Sequence, residues 1–261
     1  MQDQDLQPGE DETLDELLRG RVRLLQSRKG YRTSVDAMAL AWFALDGAQL
    51  AGHAIDLGAG SGLVAILLGL ACPQLQLHLI ERQPLLAARA KRNLDLNGLQ
   101  GRAAVIGADL ANPPPALPAA DLVVCNPPYY LVGARMPPQN AERRAAHCES
   151  TAPLERFAEV AAALLAPQGA ACFVYPSAGA ERLLAALAAA GLGAREVCLL
   201  WHREGDAKPV RVLVRARLGP EIAVKLLPDR YLHAAADLDH TYTANIEAFL
   251  RSLGPSRELC G

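Results

Sequence analysis

The chain has no long apolar run, no paired-cysteine motif and few aromatic side chains. No stretch of about 18 residues escapes interruption by charge, Gly or Pro, so no membrane span is expected. The amino terminus, Met-Gln-Asp-Gln-Asp, is the opposite of a basic signal or transit peptide. The six cysteines include no CxxC and no metal-ligand spacing, and no metal is expected. Cys72, Cys125, Cys172 and Cys198 sit inside apolar runs and read as small buried hydrophobes of a protein kept in a reducing cytoplasm. Aromatics make up 5% of the residues, and no RRM, KH or zinc module is present. Any nucleic-acid specificity must then come from loop shape and modest charge.

Net charge is −2, but it is unevenly placed. Residues 1–16 hold seven acids and no Lys or Arg, leaving 21 acidic against 26 basic residues in the rest, a body near +5. A local basic surface behind an acidic, disordered tail over 1–20 is the expectation. A short helix is expected within that tail, from Thr13 to Gly20, and a brief strand after it, from Leu24 to Ser27.

About half of the 261 residues are hydrophobic, enough for one large core. Seven strand-like runs follow one another: His53 to Leu57, Gln76 to Ile80, Ala103 to Ile106, Asp121 to Cys125, Ala170 to Tyr175, Glu196 to Trp201 and Val210 to Arg217. Helical stretches fill four of the five gaps between the first six: Leu63 to Ala71, Pro84 to Leu96 with an Asn97-Gly98 stop, Ser150 or Thr151 to Ala166, and Ala180 to Ala190; the Pro-rich loop Asn112 to Pro118 fills the other. A further helix is expected over Ser34 to Leu45, and one near Ala244 to Leu253. This alternation predicts an α/β fold, a Rossmann-like parallel sheet of seven strands. The last two strands have no helix between them and predict an antiparallel edge hairpin. The organisation expected is a segment 21–50, an α/β domain 51–220 and an extension 221–261.

In such a sheet, ligands bind beyond the carboxyl ends of the strands. Asp56-Leu57-Gly58-Ala59-Gly60-Ser61-Gly62 stands at the first. Its glycines, Gly58, Gly60 and Gly62, let backbone approach a ligand and turn into a helix. A dinucleotide fingerprint would need Gly where Leu63 stands, and no Walker Lys is present. That argues against a nicotinamide oxidoreductase. Asp56 can orient the loop or meet an ammonium group. Glu81 ends the second strand, where a carboxylate can accept both ribose hydroxyls. Asp109 follows the third and can accept from an adenine amino group. Each alone also fits a tight turn or a surface acid; together they indicate a nucleoside-type cofactor. The set resembles the class I AdoMet-dependent methyltransferases over roughly residues 50–217. The resemblance implies S-adenosyl-L-methionine as methyl donor and S-adenosyl-L-homocysteine as product.

Asn126-Pro127-Pro128-Tyr129 follows the fourth strand. It makes a stiff polar clamp with a flat wall, suited to a planar group bearing NH2. Such a nitrogen is a poor nucleophile, because its lone pair is conjugated. The Asn126 side-chain carbonyl and the Pro127 backbone carbonyl can each accept one N–H and aim the lone pair. Tyr129 can stack on a base, and a nucleobase would have to be flipped to reach it. The clamp is similar to that of methyltransferases acting on adenine N6, guanine N2 or glutamine amides. With Tyr130, the segment Tyr31-Arg32-Thr33-Ser34-Val35-Asp36, the run Glu142-Arg143-Arg144-x-x-His147 and the tail Tyr242 to Ile246, the chain resembles the bacterial tRNA(Val) adenine-N6 methyltransferase family. The resemblance implies a tRNA substrate and cofactor contacts from Tyr31, Thr33 and Asp36. Asp36 is equally an acid of a helix amino end. Arg135, Arg143, Arg144 and His147 lie on the loop after the clamp, where they can meet phosphates; a solvated charged loop is the alternative. Release-factor glutamine and rRNA guanine-N2 methyltransferases remain alternatives, as does a non-catalytic RNA-binding module. The former two differ in having a longer helical segment upstream or a duplicated domain. A monomer and a homodimer are both compatible with the sequence.

Overall fold

The computed structural model describes residues 6–18, 20–30, 32–112, 116–129, 153–220 and 222–233. The strands are β1 (Glu12–Leu17), β2 (Val22–Ser27), β3 (Gly52–Leu57), β4 (Leu75–Glu81), β5 (Ala103–Gly107), β6 (Ala120–Cys125), β7 (Leu165–Pro176), β8 (Leu192–Arg203), β9 (Arg211–Leu218), β10 (Lys225–Leu226) and β11 (Arg230–His233). The described helices are α1 (Val35–Leu45), α2 (Leu63–Ala71), α3 (Pro84–Leu96), α4 (Leu154–Leu164) and α5 (Ala180–Ala189).

β3 to β9 form one sheet in the order β8-β9-β7-β6-β3-β4-β5. β3, β4, β5, β6 and β7 run parallel, and β9 is antiparallel between β7 and β8. These are the seven expected strands with the expected antiparallel edge, the class I methyltransferase arrangement. The sheet is larger than expected, with nine strands among the described residues: β10 and β11, from the segment read as an extension, both pair with β8.

Side chains alternate between two cores, as the strand period requires. Ala54, Leu122, Val124, Cys172 and Leu213 pack beneath α1, α2 and α3. Ile55, Leu57, Val123, Phe173 and Val214 pack beneath α4 and α5. Strands buried on both faces read as continuous apolar runs, which is why they were visible in the sequence.

Two expectations are corrected. The stretch Thr13 to Gly20 is not a helix, and the acidic segment is not a tail throughout: Glu12–Leu17 is a strand paired antiparallel with Val22–Ser27. The boundary expected at residue 20 falls in the turn of this hairpin. Its acids have distant partners. Glu12 receives Arg89 Nε at 2.9 Å and Arg92 Nη1 at 2.7 Å from α3, and Asp15 pairs with Arg32. Burial alone would raise the Glu12 carboxyl, but these arginines and the Gly9 N–H hold it below the usual carboxylate range. The helix expected from Ser150 or Thr151 starts at Leu154 with Pro153 as its cap, and passes directly into β7 at Leu165. The helix expected at Ala244 to Leu253 lies outside the described residues. No helix among the described residues is long and apolar enough to cross a membrane.

α1 is fixed to β9 at both ends. Arg215, itself buried, donates to the carbonyls of Phe43 (2.7 Å), Ala44 (3.4 Å) and Asp46 (3.1 Å) and holds Glu196 through Nε at 2.8 Å. It thereby closes the carboxyl end of the helix, where backbone carbonyls lack intrahelical partners. Arg211 meets Asp36 in the first turn. Four strand residues span about 13 Å, close to the rise of the helix between its two anchor points at about 1.5 Å per residue.

Candidate active site

The strand order reverses between β3 and β6, and the carboxyl ends of these strands open a crevice there. On one side stand β3, β4 and β5 with the glycine loop. On the other stand β6, β7 and β9 with the clamp.

On the first side, Gly58, Gly60 and Gly62 all have positive φ (70°, 56° and 86°), a conformation that side chains with a Cβ rarely adopt. At Gly58 a Cβ would stand 3.3 Å from the Phe157 ring, and at Gly62 one would meet Leu79 at 3.2 Å. The loop is tied to the next strand. Glu81 accepts from Gly60 N through Oε2 at 2.9 Å and from Gln83 N through Oε1 at 2.8 Å. Burial raises the Glu81 carboxyl, opposed by the backbone N–H groups of Gln83, Gly60 and Arg82. Asp56 is buried, and burial pushes its pKa up to about 7; the Ala65 N–H opposes this and the Glu81 charge adds to it. Its Oδ2 has no hydrogen-bond partner among the described residues. A buried carboxylate oxygen without a partner suits a cationic donor such as an ammonium group. Asp109 is turned into its own loop. Its Oδ1 accepts from Ala111 N at 3.0 Å, and its Oδ2 lies 3.7 Å from Arg82.

On the second side, Asn126 continues from β6, whose apolar residues are buried between β3 and β7. Tyr129 folds back so that its hydroxyl donates to Asn126 Oδ1 and lies 3.1 Å from Asp36 Oδ2. Asp36 is buried and pairs with Arg211: Nη2 donates to Oδ2 at 3.0 Å, and Nε lies 3.0 Å from Oδ1 without a hydrogen bond. The Arg211 guanidinium stands over the Tyr129 ring, 5.2 Å from its centre, and Tyr175 makes an edge contact with that ring at 5.7 Å. Burial would lower the Arg211 pKa, but Asp36 and Tyr129 together outweigh it and the group is held above its ordinary value. The Cys125 thiol behind the clamp is pushed well up by burial and by Asp56, so it stays protonated filler.

The structure thus places the glycine loop, Asp56 and Glu81 together, and Asn126, Tyr129 and Asp36 together across the crevice. Asp36 faces the clamp. Thr33 lies beside β2, its N–H donating to Gln26 Oε1 at 2.8 Å. Tyr31, Tyr130, Arg135, Arg143, Arg144, His147, Tyr242 and Ile246 lie outside the described residues. The sequence hides two participants and suggests another role for a third. Arg211, which beside the Arg203 to Lys208 turn reads as a solvated charge or an RNA contact, reaches Asp36 across 175 positions, and no local pattern announces that. Phe157 walls Gly58 from α4. Asn93 of α3 is fully buried and donates to Ser61 O of the glycine loop at 2.9 Å. A polar residue beside the buried Ala90 and Leu94 was the available signal for it.

Comparison with known proteins gives a consistent pattern. The family described as methyltransferase small domain matches residues 37–187. A Shewanella amazonensis protein named tRNA1(Val) (adenine(37)-N6)-methyltransferase is 31% identical over 85% of this chain and 91% of its own. A Porphyromonas gingivalis protein of the same name is also 31% identical, but over 56% of this chain and only 58% of its own length. Among solved structures, a predicted O-methyltransferase from Agrobacterium tumefaciens superposes with a TM-score of 0.67, at 23% identity, over 84% of this chain and 97% of its own. The precorrin-6y C5,15-methyltransferase of Geobacter metallireducens gives 0.51 at 16% identity, over 71% and 90%. At such identities the structures speak to the fold.

Proposed function

The chain belongs to the methyltransferase small domain family, AdoMet-dependent enzymes, and on that premise we propose that it methylates the exocyclic N6 amino group of an adenine in tRNA. The observation that carries the reading is the pairing of Asn126 and Tyr129 at the end of β6, across the strand-order reversal from the glycine loop. The name shared by the Shewanella and Porphyromonas relatives supports the choice of acceptor.

The residues present fit the cofactor. Asp56 Oδ2 offers an unpartnered buried acceptor to its ammonium group. Glu81, fixed by Gly60 N and Gln83 N, keeps further lone pairs for ribose hydroxyls. Asp109, turned into its own loop, would receive from the adenine amino group only on exchanging its contact with Arg82. When bound, AdoMet supplies an activated methyl group on a sulfonium.

The rest falls to the acceptor side. Asn126 Oδ1 and the Pro127 carbonyl accept the two N–H bonds of the target amine and hold its nitrogen towards tetrahedral geometry. Tyr129 presents a ring face for stacking. No strong base is required, because the nitrogen loses its proton after it has attacked. Tyr31, Tyr130, Arg135, Arg143, Arg144 and His147 are the proposed further contacts to cofactor and RNA.

The test is methylation in vitro with labelled AdoMet, followed by mass spectrometry of nucleosides. N6-methyladenosine in tRNA is expected, and Asn126→Ala should lower the rate by about 100-fold or more while still binding AdoMet. Label appearing instead in release factor or in rRNA guanine would replace this reading with one of those acceptors. Calorimetry showing no AdoMet binding would leave a non-catalytic RNA-binding module.

A further inference from the structure

The two arginines that fix α1 to β9 differ in kind. Arg215 is buried and spends its guanidinium on three carbonyls and Glu196. It holds the helix whether or not Arg211 is present. Arg211 is more open, its side chain 27% exposed; Nη2 donates to one carboxylate at the crevice and Nη1 to the Val210 carbonyl. From there a continuous set of contacts runs to the acceptor atom: Arg211 to Asp36, Asp36 to the Tyr129 hydroxyl, and the Tyr129 hydroxyl to Asn126 Oδ1. A charge-assisted hydrogen bond from Nη2, with Nε close beside the second oxygen, holds the carboxylate in place. The guanidinium also covers one face of the Tyr129 ring.

We infer that Arg211 is a positioning residue of the acceptor clamp. By holding Asp36 beside the Tyr129 hydroxyl it sets which acceptor, Asp36 Oδ2 or Asn126 Oδ1, takes that single proton, and so how far Asn126 Oδ1 is left open for the target amine. By standing over the Tyr129 ring it also holds the plane of that ring. The inference rests on the proposed reaction for its kinetic consequence, but not for its structural one.

The experiment compares Arg211→Ala and Arg211→Lys with the unaltered chain, by three measurements. Calorimetric AdoMet affinity should stay within about threefold, because the cofactor side makes no use of Arg211. The single-turnover rate at saturating tRNA should fall by about 10- to 100-fold in Arg211→Ala, the cost of a small misplacement at a reacting centre. The tRNA concentration for half-saturation should change little. Arg211→Lys, which keeps the charge but loses the planar guanidinium over Tyr129, should fall between. The third measurement needs no acceptor: in protein labelled with 13C at the tyrosine Cζ, the signal lost in Tyr129→Phe identifies Tyr129. It should shift in Arg211→Ala and return only in part in Arg211→Lys.

Three outcomes overturn the inference: a Tyr129 signal that does not move; a higher half-saturating tRNA concentration with an unchanged saturated rate, which would make Arg211 a phosphate contact; or loss of AdoMet binding together with activity, which would make it structural. Failure of the unaltered chain to label tRNA counts against the proposed substrate alone, and the carbon signal then decides on Arg211.

Discussion

Asp56 is a buried acid that burial holds half-protonated near neutrality, at about 7. Its folded pKa lies above the unfolded value, so the folded chain binds more protons than the unfolded one between about pH 4 and pH 7. Without ligand, the contribution of Asp56 to stability is fully present below about pH 4 and is lost as pH rises through about 7. An ammonium group at Oδ2 has the opposite preference, since it requires the ionised form. AdoMet affinity is therefore expected to rise between about pH 5.5 and pH 7, by up to tenfold per unit, with release of up to one proton at the acid end. Calorimetry in buffers of different ionisation heat reads both quantities. Asp56→Asn should flatten the profile and weaken binding by about tenfold or more. A flat profile in the unaltered chain would remove Asp56 from the ammonium site.

At the scale of elements, the hairpin β1–β2 is joined to the domain through amide side chains of a helix. Asn93 Oδ1 accepts from Leu25 N at 2.7 Å, and its Nδ2 donates to Leu25 O at 3.1 Å and to Ser61 O. One turn on, Asn97 repeats the pairing with Arg23 N and O in a more exposed position. Asn93→Ala leaves three buried backbone groups without that partner and is expected to cost about 3 kcal/mol. Asn97→Ala, whose partners can turn to water, should cost under about 1 kcal/mol. Urea denaturation of both variants checks the difference, and equal costs would contradict the buried account. The hairpin also shows where the sequence was legible and where it was not. β3 to β9 were visible as apolar runs, and α3 was bounded by Pro84 and Asn97-Gly98, because those signals are local. The stretch Glu12 to Leu17 reads as an acidic tail because Arg89 and Arg92, which neutralise Glu12, lie 77 and 80 positions away. The site divides the same way. The glycines, Glu81 and Asn126 each end a strand and could be found from the strand pattern. The partnership of Asp36 with Arg211 exists only after an antiparallel strand has returned to the crevice.

Across the whole molecule, the sheet serves as a floor with the cofactor residues over β3, β4 and β5 and the clamp over β6, β7 and β9. α1 lies on the same face as α2 and borders both halves. Its docking rests chiefly on Arg215, so Arg215→Met should cost about 3 kcal/mol by stripping three carbonyls and Glu196 of their donor. Thermal unfolding measures this. The rate per folded molecule should be unchanged, since Arg215 touches no part of the clamp; a changed rate would show that the helix end, too, acts on the site. The pairing of two arginines on a strand with two ends of a helix also restricts how relatives of this chain can differ in length. One residue inserted in the middle of α1 turns Asp36 by about 100° relative to Phe43 and moves it about 1.5 Å along the axis, out of register with Arg211. An insertion in the exposed turn at 204–208 shifts neither anchor. Length variation among descendants should therefore gather in that turn and be absent from the eleven residues of the helix.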